Sequence, residues 1–422
     1  MNENIKVPEG WKVVRLGEVA ERITNGFVYG FSDIKKDGIP ITRIETISEG
    51  YIDKNKLGYI SEELYPYIKK YHLKTGDILF SHINSLEHVG KTAIYNNIPP
   101  FLVHGMNLLL LRFKNSMCYP FFLIYLLKKE NIRNEIKNLS GQAVNQVSIK
   151  PFELSNLNIP LPSLPEQRKI AEILETIDNA IEKTDAIIEK YNRIKQGLMQ
   201  DLLTKGIDEN WHIRDEKTHK FKDSPLGRIP EEWEVVRLGE IFNIKAGGDI
   251  DELSYSDTRD KRFQYSIFSN TLENKGLYGY SDKFTYPENC ITITGRGTLG
   301  HAIPRFEKFN AIIRVLVLIP KFEMNIVFIS EYINNRISFV IESTGVPQLT
   351  APKVAEYYIP LPSLAEQQRI AEILLQIDEV IEKEQAYKEK LEGIKKGLME
   401  DLLTGKVRVN HLIEEESIDE IG

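Results

Sequence analysis

The sequence predicts an α+β protein in which two globular modules are joined by two long helices, because two distinctive motifs each occur twice in the same order. Residues 161–204 and 361–404 are identical at 28 of 44 positions, with a constant offset of 200. Residues 7–19 and 229–241 are identical at 9 of 13 positions. The stretches between these motifs share little, so a repeated scaffold carries two different modules and has internal pseudo-two-fold symmetry.

The length agrees with this division, because 422 residues are too many for one ordinary core. The predicted order is a first module over residues 1–160, a helix over 161–204, a linker over 205–228, a second module over 229–360, a helix over 361–404 and an acidic tail over 405–422.

Each of the 44-residue repeats is predicted to be one long helix. Ser163 and Glu166 have the spacing of an N-terminal capping box, and the same pair recurs 200 residues later. Gly206 and Gly405 follow the last turns, where glycine can adopt the left-handed conformation of a helix cap. These signals predict where both helices begin and end.

Apolar residues along both helices follow the three-and-four spacing of a coiled-coil seam. The residues predicted to form a helix–helix or partner interface are Ile170, Leu174, Ile177, Ile181 and Ile188 in the first copy and Ile370, Leu374, Ile377, Ile381 and Leu391 in the second. A second apolar line runs beside the seam at Ile173, Ala180, Ile187, Ile194, Ile373, Val380, Tyr387 and Ile394. This stripe is wider than a two-helix seam needs, so each helix is expected to pack on the other and also on either the modules or a partner protein.

Both modules are predicted to mix short strands with helices. "GIPITRIETI" and "CITIT" have the alternation of strands, whereas "PFFLIYLLKKENIRNEIKNL" (120–139) is typical of a helix. The first module carries 20 basic and 16 acidic residues, a net charge of +4, and the second carries 14 and 17, a net charge of −3. These charges permit a basic face on each module without demonstrating one. Apolar runs fall short of the ~20 residues that span a bilayer, and Cys118 and Cys290 are expected to be free thiols of a cytoplasmic protein.

The segment "ITITGRGTLGHAIPRF" contains a G-x-G-x-x-G match at Gly295, Gly297 and Gly300. A dinucleotide-binding loop of this pattern requires a helix directly after the glycines. Pro304 and the β-branched residues that follow favour another strand instead. The first module aligns Gly90 with Gly300, so the segment is interpreted as a shared turn with a variable tip that presents Arg296.

Three repeated motifs resemble those of the specificity (S) subunits of type I restriction-modification systems. They are "W-x-V-V-R-L-G-E", the Gly-to-Gln segments at 141–146 and 345–348, and "P-L-P-S-L-x-E-Q-x-x-I-A-x-I-L-x-x-I-D". The resemblance covers nearly the whole chain. It implies two target-recognition domains that each bind one half of a split double-stranded DNA site, and two long helices packed as an antiparallel coiled coil that sets the spacing.

The resemblance also implies partners: two methyltransferase (M) subunits dock on the assembly, and S-adenosylmethionine and ATP are bound by other subunits, so no cofactor is expected on this chain. Whether restriction (R) subunits join is left open by the sequence. Two similar modules on a repeated scaffold independently suit two half-sites about one helical turn apart.

Polar clusters after strands are the candidates for DNA contact, because Arg, Asn, Gln, Ser, Thr and Lys side chains bond to base edges and phosphates. In the first module these are Ser81, His82, Asn84, Ser85, Lys91, Asn145, Gln146 and Lys150. In the second they are Arg259, Lys261, Arg262, Thr294, Arg296, Thr298, Gln348, Thr350 and Lys353. The resemblance places recognition in the modules but assigns none of these contacts.

A catalytic role is not predicted. The nearest match to the methyltransferase motif N/D-P-P-Y/F is "IPPF" (98–101), which lacks the polar first residue. His82, His88 and His104 do not have the spacing of a metal site, so no metal is expected. Two alternatives remain: a coiled-coil scaffold whose modules bind protein or another ligand, which the net charge of −7 favours, and a nucleotide-dependent enzyme built on the glycine loop.

Overall fold

The computed structural model folds into two compact units and describes residues 7–139, 147–340 and 347–413. Unit 1 comprises residues 1–185 and 386–422, and unit 2 comprises residues 186–385. Each unit therefore contains one module and one part of each long helix. Within the described ranges, every helix is too short or too polar to serve as a bilayer span.

Unit 1 contains eleven short strands and five short α-helices within the described residues, together with the start of the first long helix and the end of the second. The strands are β1 (Lys12–Arg15), β2 (Ala20–Asn25), β3 (Ile34–Lys35), β4 (Ile39–Ile41), β5 (Gly58–Ile60), β6 (Ile78–Phe80), β7 (Ile83–Asn84), β8 (Thr92–Ile94), β9 (Leu109–Phe113), β10 (Val147–Ser148) and β11 (Asn158–Leu161). The helices are α1 (Leu16–Val19), α2 (Tyr65–Ile68), α3 (Pro120–Lys128), α4 (Glu130–Asn138), α5 (Pro151–Ser155) and α6 (Leu164–Leu202), which continues into unit 2.

The centre of unit 1 is a four-stranded antiparallel sheet in the order β2-β9-β6-β8. Its core packs sheet residues such as Phe80 and Leu109 against Phe122 and Leu126 of α3. The helix predicted over residues 120–139 is divided into α3 and α4, because Lys129 has an extended backbone with φ −65° and ψ 137°. A three-stranded sheet, β3-β5-β4, and the pairs β1-β11 and β7-β10 complete the unit.

Unit 2 repeats this plan with different loops. Its strands are β12 (Phe221–Ser224), β13 (Gly227–Pro230), β14 (Glu234–Arg237), β15 (Phe242–Ala246), β16 (Tyr265–Phe268), β17 (Leu277–Ser281), β18 (Cys290–Ile293), β19 (Ala302–Arg305), β20 (Phe309–Ala311), β21 (Leu316–Pro320) and β22 (Tyr358–Leu361). Its helices are α7 (Leu238–Ile241), α8 (Ile326–Arg336), α9 (Ala351–Ala355) and the start of α10 (Leu364–Leu403), which continues into unit 1.

The central sheet of unit 2 has the order β15-β21-β18-β19. These strands take the places of β2, β9, β6 and β8 of unit 1, in that order. The repeated motifs pair with each other in both units: Val14 lies opposite Ile159, and Val236 lies opposite Ile359. The motif that begins each module is thus hydrogen-bonded to the motif that begins the following helix. This pairing explains why the two motifs recur together.

The two long helices pack antiparallel to each other. In unit 1, Lys395 is paired with Asp178 and Lys388 with Asp185. The residue number increases by seven on α6 and decreases by seven on α10 between these two ion pairs, so the helices run in opposite directions. In unit 2, the Lys195 ammonium lies 2.7 Å from the Asp378 carboxylate, the same contact with the helices exchanged. The implied antiparallel pair is confirmed within each unit.

A buried glutamate anchors the start of each long helix to its module. The Glu166 carboxylate accepts hydrogen bonds from the Trp11 indole at 3.1 Å and from the Arg408 guanidinium at 2.6 and 3.0 Å. In unit 2, Glu366 accepts hydrogen bonds from Trp233 at 3.1 Å and from Arg214.

In a capping box, the glutamate side chain accepts the backbone N–H of the serine three residues before it. Glu166 and Glu366 accept hydrogen bonds from tryptophan and arginine side chains instead, so the capping-box prediction is wrong for the glutamate side chains.

The following glutamine adds a second anchor. Gln167 accepts a hydrogen bond from the Tyr119 backbone N–H at 2.7 Å, and Gln367 accepts one from the Asn325 backbone N–H at 2.9 Å. Each glutamine also donates to the carbonyl of the proline five residues before it. The Gln residue of the repeated "E-Q" pair thus fixes the start of α3 relative to α6 in unit 1, and the start of α8 relative to α10 in unit 2.

The predicted interface residues are covered to different degrees. Ile170, Leu174, Ile370 and Leu374 are fully buried in the cores that the helices share with the modules, Ile381 and Leu391 are buried, and Ile177, Ile181, Ile188 and Ile377 are half-buried. Along the second apolar line, Ile173 and Ile373 pack against the module cores. In contrast, Ile187, Ile194, Tyr387 and Ile394 are 38–52% exposed. The modules therefore cover only one end of this line in each helix.

The C-terminal caps form as predicted. Gly206 and Gly405 have φ values of +65° and +69°, the left-handed region that favours glycine. The beginning of the predicted tail differs from a solvated run, because Val409 is buried in the unit 1 core and Arg408 binds Glu166. The acidic residues 414–422 lie outside the described residues.

Candidate nucleic-acid interface

The G-x-G-x-x-G segment forms the turn of a β-hairpin. Strands β18 and β19 pair antiparallel, with Ile293 opposite Ala302. The Thr294 N–H donates to the His301 carbonyl at 3.0 Å, and the Gly300 N–H donates to the Thr294 carbonyl at 2.8 Å. Because a strand follows the glycines, the helix N-terminus that a dinucleotide loop needs is not present at this position. The segment is a turn, as its proline and β-branched residues predicted.

The same turn occurs in unit 1. The Ser81 N–H donates to the Lys91 carbonyl at 2.9 Å, and the Gly90 N–H donates to the Ser81 carbonyl at 2.9 Å. Gly90 and Gly300 have φ values of +79° and +83°, so both positions require the left-handed conformation. The alignment of these two glycines is confirmed, and it makes Ser81 equivalent to Thr294, Lys91 to His301 and Thr92 to Ala302.

The hairpin tip of unit 2 is held by residues from separate parts of the module. The side-chain oxygen of Asn270 accepts the Gly295 N–H at 2.7 Å and the Arg296 N–H at 3.2 Å. The Leu349 N–H donates to the Gly295 carbonyl at 3.0 Å, and Arg296 lies 3.4 Å from the side-chain oxygen of Gln348. Arg296 and Gln348, two of the predicted contact residues, are thus brought together at one exposed tip.

Two residues of this tip were missed by sequence reasoning. Asn270, which follows β16, fixes the loop backbone, and its amide also donates to the Ile313 carbonyl. Arg314 is exposed, with φ of +64°, and its guanidinium has no ion-pair partner among the described residues. A Cβ atom on Gly295 would lie 2.6 Å from the Arg314 carbonyl oxygen, so the loop and this turn are in close contact. This turn lies within "NAIIRVLV" (310–317), whose apolar and β-branched residues are typical of a strand, so the sequence did not predict a turn there.

The other predicted residues of unit 2 are dispersed. Thr294 is buried, and its hydroxyl donates to the Thr298 carbonyl and accepts the His301 N–H, so it closes the turn rather than facing solvent. Arg259 and Arg262 are exposed but paired with Glu307 at 3.5 Å and Asp282 at 3.1 Å. The remaining residues are exposed, and they are Lys261, Thr298, Thr350 and Lys353.

The hairpin tip of unit 1 is built by the corresponding segments. The Ile149 N–H donates to the His82 carbonyl at 2.9 Å, as Leu349 does to Gly295, so the segment after the Gly-to-Gln motif pairs with the hairpin in both units. Asn84 is half-buried and donates to the Ser81 hydroxyl at 3.2 Å, whereas Ser85 is exposed. Lys150 is also exposed, and Asn145 and Gln146 lie outside the described residues.

Three predicted residues of unit 1 point inward. Ser81 and His82 are buried, and burial lowers the pKa of His82 below its usual value. Lys91 donates to the Ser48 carbonyl at 2.6 Å, beside a cavity described below. In this structure, the burial of Ser81, His82 and Thr294 disagrees with direct DNA contact by their side chains. No cluster of His, Cys, Asp or Glu within the described ranges has the geometry of a metal site.

Comparison with known proteins identifies relatives that match almost the whole chain. A Methanocaldococcus jannaschii protein, provisionally described as the specificity subunit of type I restriction enzyme MjaX, is 40% identical over 96% of this chain and 95% of its own length. The specificity subunit of type I restriction enzyme MjaVIII, from the same organism, is 30% identical over 97% and 95% of the two chains.

A crystal structure of a type I restriction-modification S subunit from M. genitalium has the same fold. Its TM-score is 0.64 at 17% identity, and the alignment covers 95% of this chain and 97% of that chain. The family model of the type I restriction modification DNA specificity domain matches residues 8–192 and 230–393. These findings do not support the alternative of a coiled-coil scaffold whose modules bind protein or another ligand instead of DNA. The chain belongs to the family of type I restriction-modification specificity subunits, and it contains two DNA specificity domains.

Proposed function

We propose that this chain recognises a bipartite DNA sequence for a type I restriction-modification complex, with one half-site bound by each module. The observation that carries the proposal is the hairpin that occurs once in each unit. Its turn closes with the same hydrogen bonds at Gly90 and Gly300, while the other residues between the strands differ in number and in sequence. A frame shared by both units, with two different polar tips, is the arrangement that two different half-sites require.

The second module offers the clearer recognition tip. Arginine forms two hydrogen bonds with guanine in the major groove, and glutamine can form two with adenine. Arg296 and Gln348 lie together at the exposed tip, and the Arg314 backbone is in close contact with the adjacent Gly295. In the first module, Asn84, Ser85 and Lys150 are the corresponding candidates, because they flank the same pairing of hairpin and following segment.

Two methyltransferase subunits are proposed to dock on the exposed apolar residues of the long helices. Ile187 and Ile194 in unit 2 and Tyr387 and Ile394 in unit 1 occupy equivalent positions of the repeat. Exposed apolar residues that recur at helical spacing favour contact with a partner, and equivalent surfaces favour two copies of that partner.

Chemistry is assigned to those partners. Specificity subunits are the non-catalytic components of type I complexes, and we place S-adenosylmethionine and ATP on the other subunits. Restriction subunits would join the same assembly through partners that the sequence of this chain does not define.

The test uses the full chain assembled with its methyltransferase subunits. Methylated bases are mapped on DNA modified by the wild type, Arg296→Ala and the control Arg228→Ala, which replaces an exposed arginine of the linker that is paired with Glu216. A bipartite motif with a fixed gap is expected for the wild type. Arg296→Ala should relax one half of the motif and weaken binding by about 1–3 kcal/mol, while the other half is unchanged.

Binding measured at several salt concentrations completes the test. Neutralised phosphates release counterions, so the affinity should fall steeply as salt increases. A continuous methylation motif, or an affinity that does not respond to salt, would contradict the proposal.

A further inference from the structure

A cavity of about 340 Å³ lies beside the hairpin of unit 1. Three cationic side chains contribute to its wall: Lys91 next to the turn, Lys128 at the end of α3, and Arg133 on α4. Glu49 also lines it, but its carboxylate is bound by Lys56 at 3.2 Å. The cavity is therefore surrounded by more positive than negative charge.

Lys91 and Lys128 are held in place by backbone carbonyls and keep further N–H donors for a ligand. Lys91 donates to the Ser48 carbonyl at 2.6 Å, and Lys128 donates to the Gly50 carbonyl at 3.0 Å. Each ammonium has three donors, so these contacts fix the amines without exhausting them. The Arg133 side chain has no hydrogen-bond or ion-pair partner in the described part of the chain, and it is half-buried. Thr92, 2% exposed, also lines the cavity, and its hydroxyl has no partner there either.

Unit 2 carries different side chains at the equivalent positions, and the larger cavity beside its hairpin is lined by both acidic and basic residues. Gln167 and Gln367 fix Tyr119 and Asn325 at the starts of α3 and α8, so Lys128 and Asn334, nine residues further on, are equivalent. Asn334 accepts the Ala302 N–H at 2.7 Å and donates to the Ala302 carbonyl at 2.8 Å. Ala302 is the counterpart of Thr92. In unit 2, the Asn334 side-chain amide thus bonds α8 to β19. Unit 1 has Lys128 at the same position.

We propose that the cavity formed by Lys91, Thr92, Lys128 and Arg133 in unit 1 binds a phosphate group. Lysine and arginine are the side chains that bind phosphate oxygens, and a hydroxyl completes such sites. The phosphate belongs either to the DNA backbone or to a free phosphate compound. The first source extends the DNA recognition proposed above, and the second is independent of it.

The experiment compares the full-length wild type with Arg133→Gln, which should fold normally because the Arg133 guanidinium makes no hydrogen bond or ion pair with the described residues. Lys54→Gln is the control, because Lys54 is an exposed lysine of the same module that lies outside the cavity wall. Binding of inorganic phosphate is measured by phosphorus NMR titration. DNA affinity is measured with the methyltransferase complex at several salt concentrations.

Two results would support the site and identify its source. Phosphate binding that weakens roughly tenfold in Arg133→Gln and is unchanged in Lys54→Gln indicates a free phosphate compound. A salt-dependence slope smaller by about 0.9 in Arg133→Gln alone, with the methylation motif unchanged, indicates a DNA phosphate.

The proposal is overturned if Arg133→Gln matches Lys54→Gln in both measurements. That result would leave the half-site effect of Arg296→Ala intact, so failure of the cavity is distinguishable from failure of the proposed function.

Discussion

Units 1 and 2 contain the same contact between long helices and module, but the module supplies different residues to it. In unit 1, Asp178 binds Lys395 and also accepts the Tyr125 hydroxyl at 2.7 Å. In unit 2, Lys195 binds Asp378, and Glu331, at the position of Tyr125, lies 4.0 Å from the lysine. Burial raises the pKa of Glu331, while Lys195 lowers it.

The difference shows which side of the contact is free to vary. The helix residues are the same in both copies, whereas a neutral phenol and a carboxylate alternate on the module. A half-buried carboxylate is tolerated at this position because the Lys195 ammonium, 4.0 Å away, favours its ionised form. Each module can therefore change its sequence, and with it its binding tip, while it keeps the same position on the helices.

The largest expected difference between the units concerns the two anchor glutamates. Glu366→Ala should destabilise unit 2 by about 3–5 kcal/mol, because the buried Arg214 loses its closest carboxylate and keeps only the exposed Glu232, at 3.8 Å, as an ion-pair partner. Glu166→Ala should have a smaller effect on unit 1, since the Arg408 side chain is 30% exposed and can be solvated. Hydrogen exchange resolved for each unit measures both changes.

The exposed Glu372→Ala on α10 is the control and should change neither unit. Equal losses of protection in the two glutamate variants would contradict the unequal burial of their arginine partners.

Acid should destabilise unit 1 through His104. Burial lowers the pKa of His104 to about 4, while its ring nitrogen lies 2.9 Å from the Leu108 carbonyl. The group is neutral when folded, so between pH 6.5 and about 4 the unfolded chain binds more protons and stability falls as the pH falls. A shift of this size corresponds to about 3 kcal/mol.

His104→Gln keeps a donor for Leu108 and should flatten the stability of unit 1 across that pH range. Hydrogen exchange of unit 1 amides, corrected for the intrinsic effect of pH, gives the profile. Identical profiles for the wild type and His104→Gln would show that this histidine does not control the acid sensitivity.

The smallest expected effect distinguishes the two hairpin tips. Asn270→Ala removes the acceptor for two loop N–H groups and should reduce discrimination at the half-site of unit 2 by about 1–2 kcal/mol. Asn84→Ala removes two hydrogen bonds in unit 1, to the Ser81 hydroxyl and from the Ser85 N–H, but both join residues within one loop, so it should change the other half-site by less. Competition between matched and mismatched half-sites, with the methyltransferase subunits present, measures each change. An Asn270→Ala effect on the unit 1 half-site would contradict independent tips.

Local sequence signals predicted the framework well. The repeat, the long helices, the glycine caps and the match between Gly90 and Gly300 all follow from spacing and from the backbone freedom of glycine. These features depend on interactions between residues close in sequence, or on one motif copied unchanged. The division of residues 120–139 into two helices was not predicted, because its apolar pattern continues across Lys129.

The sequence by itself determined that this chain is a duplicated scaffold with two different modules, because motif identity and spacing are local properties. Tertiary structure alone decided which polar residues meet. It joined Arg296 to Asn270 and Gln348, placed the Arg314 backbone against Gly295, and directed Glu166 to Trp11 instead of its own helix. It also buried Ser81, His82 and Thr294, which have the composition of surface residues. Such contacts depend on how separate strands and loops pack, and single-residue composition does not record that packing.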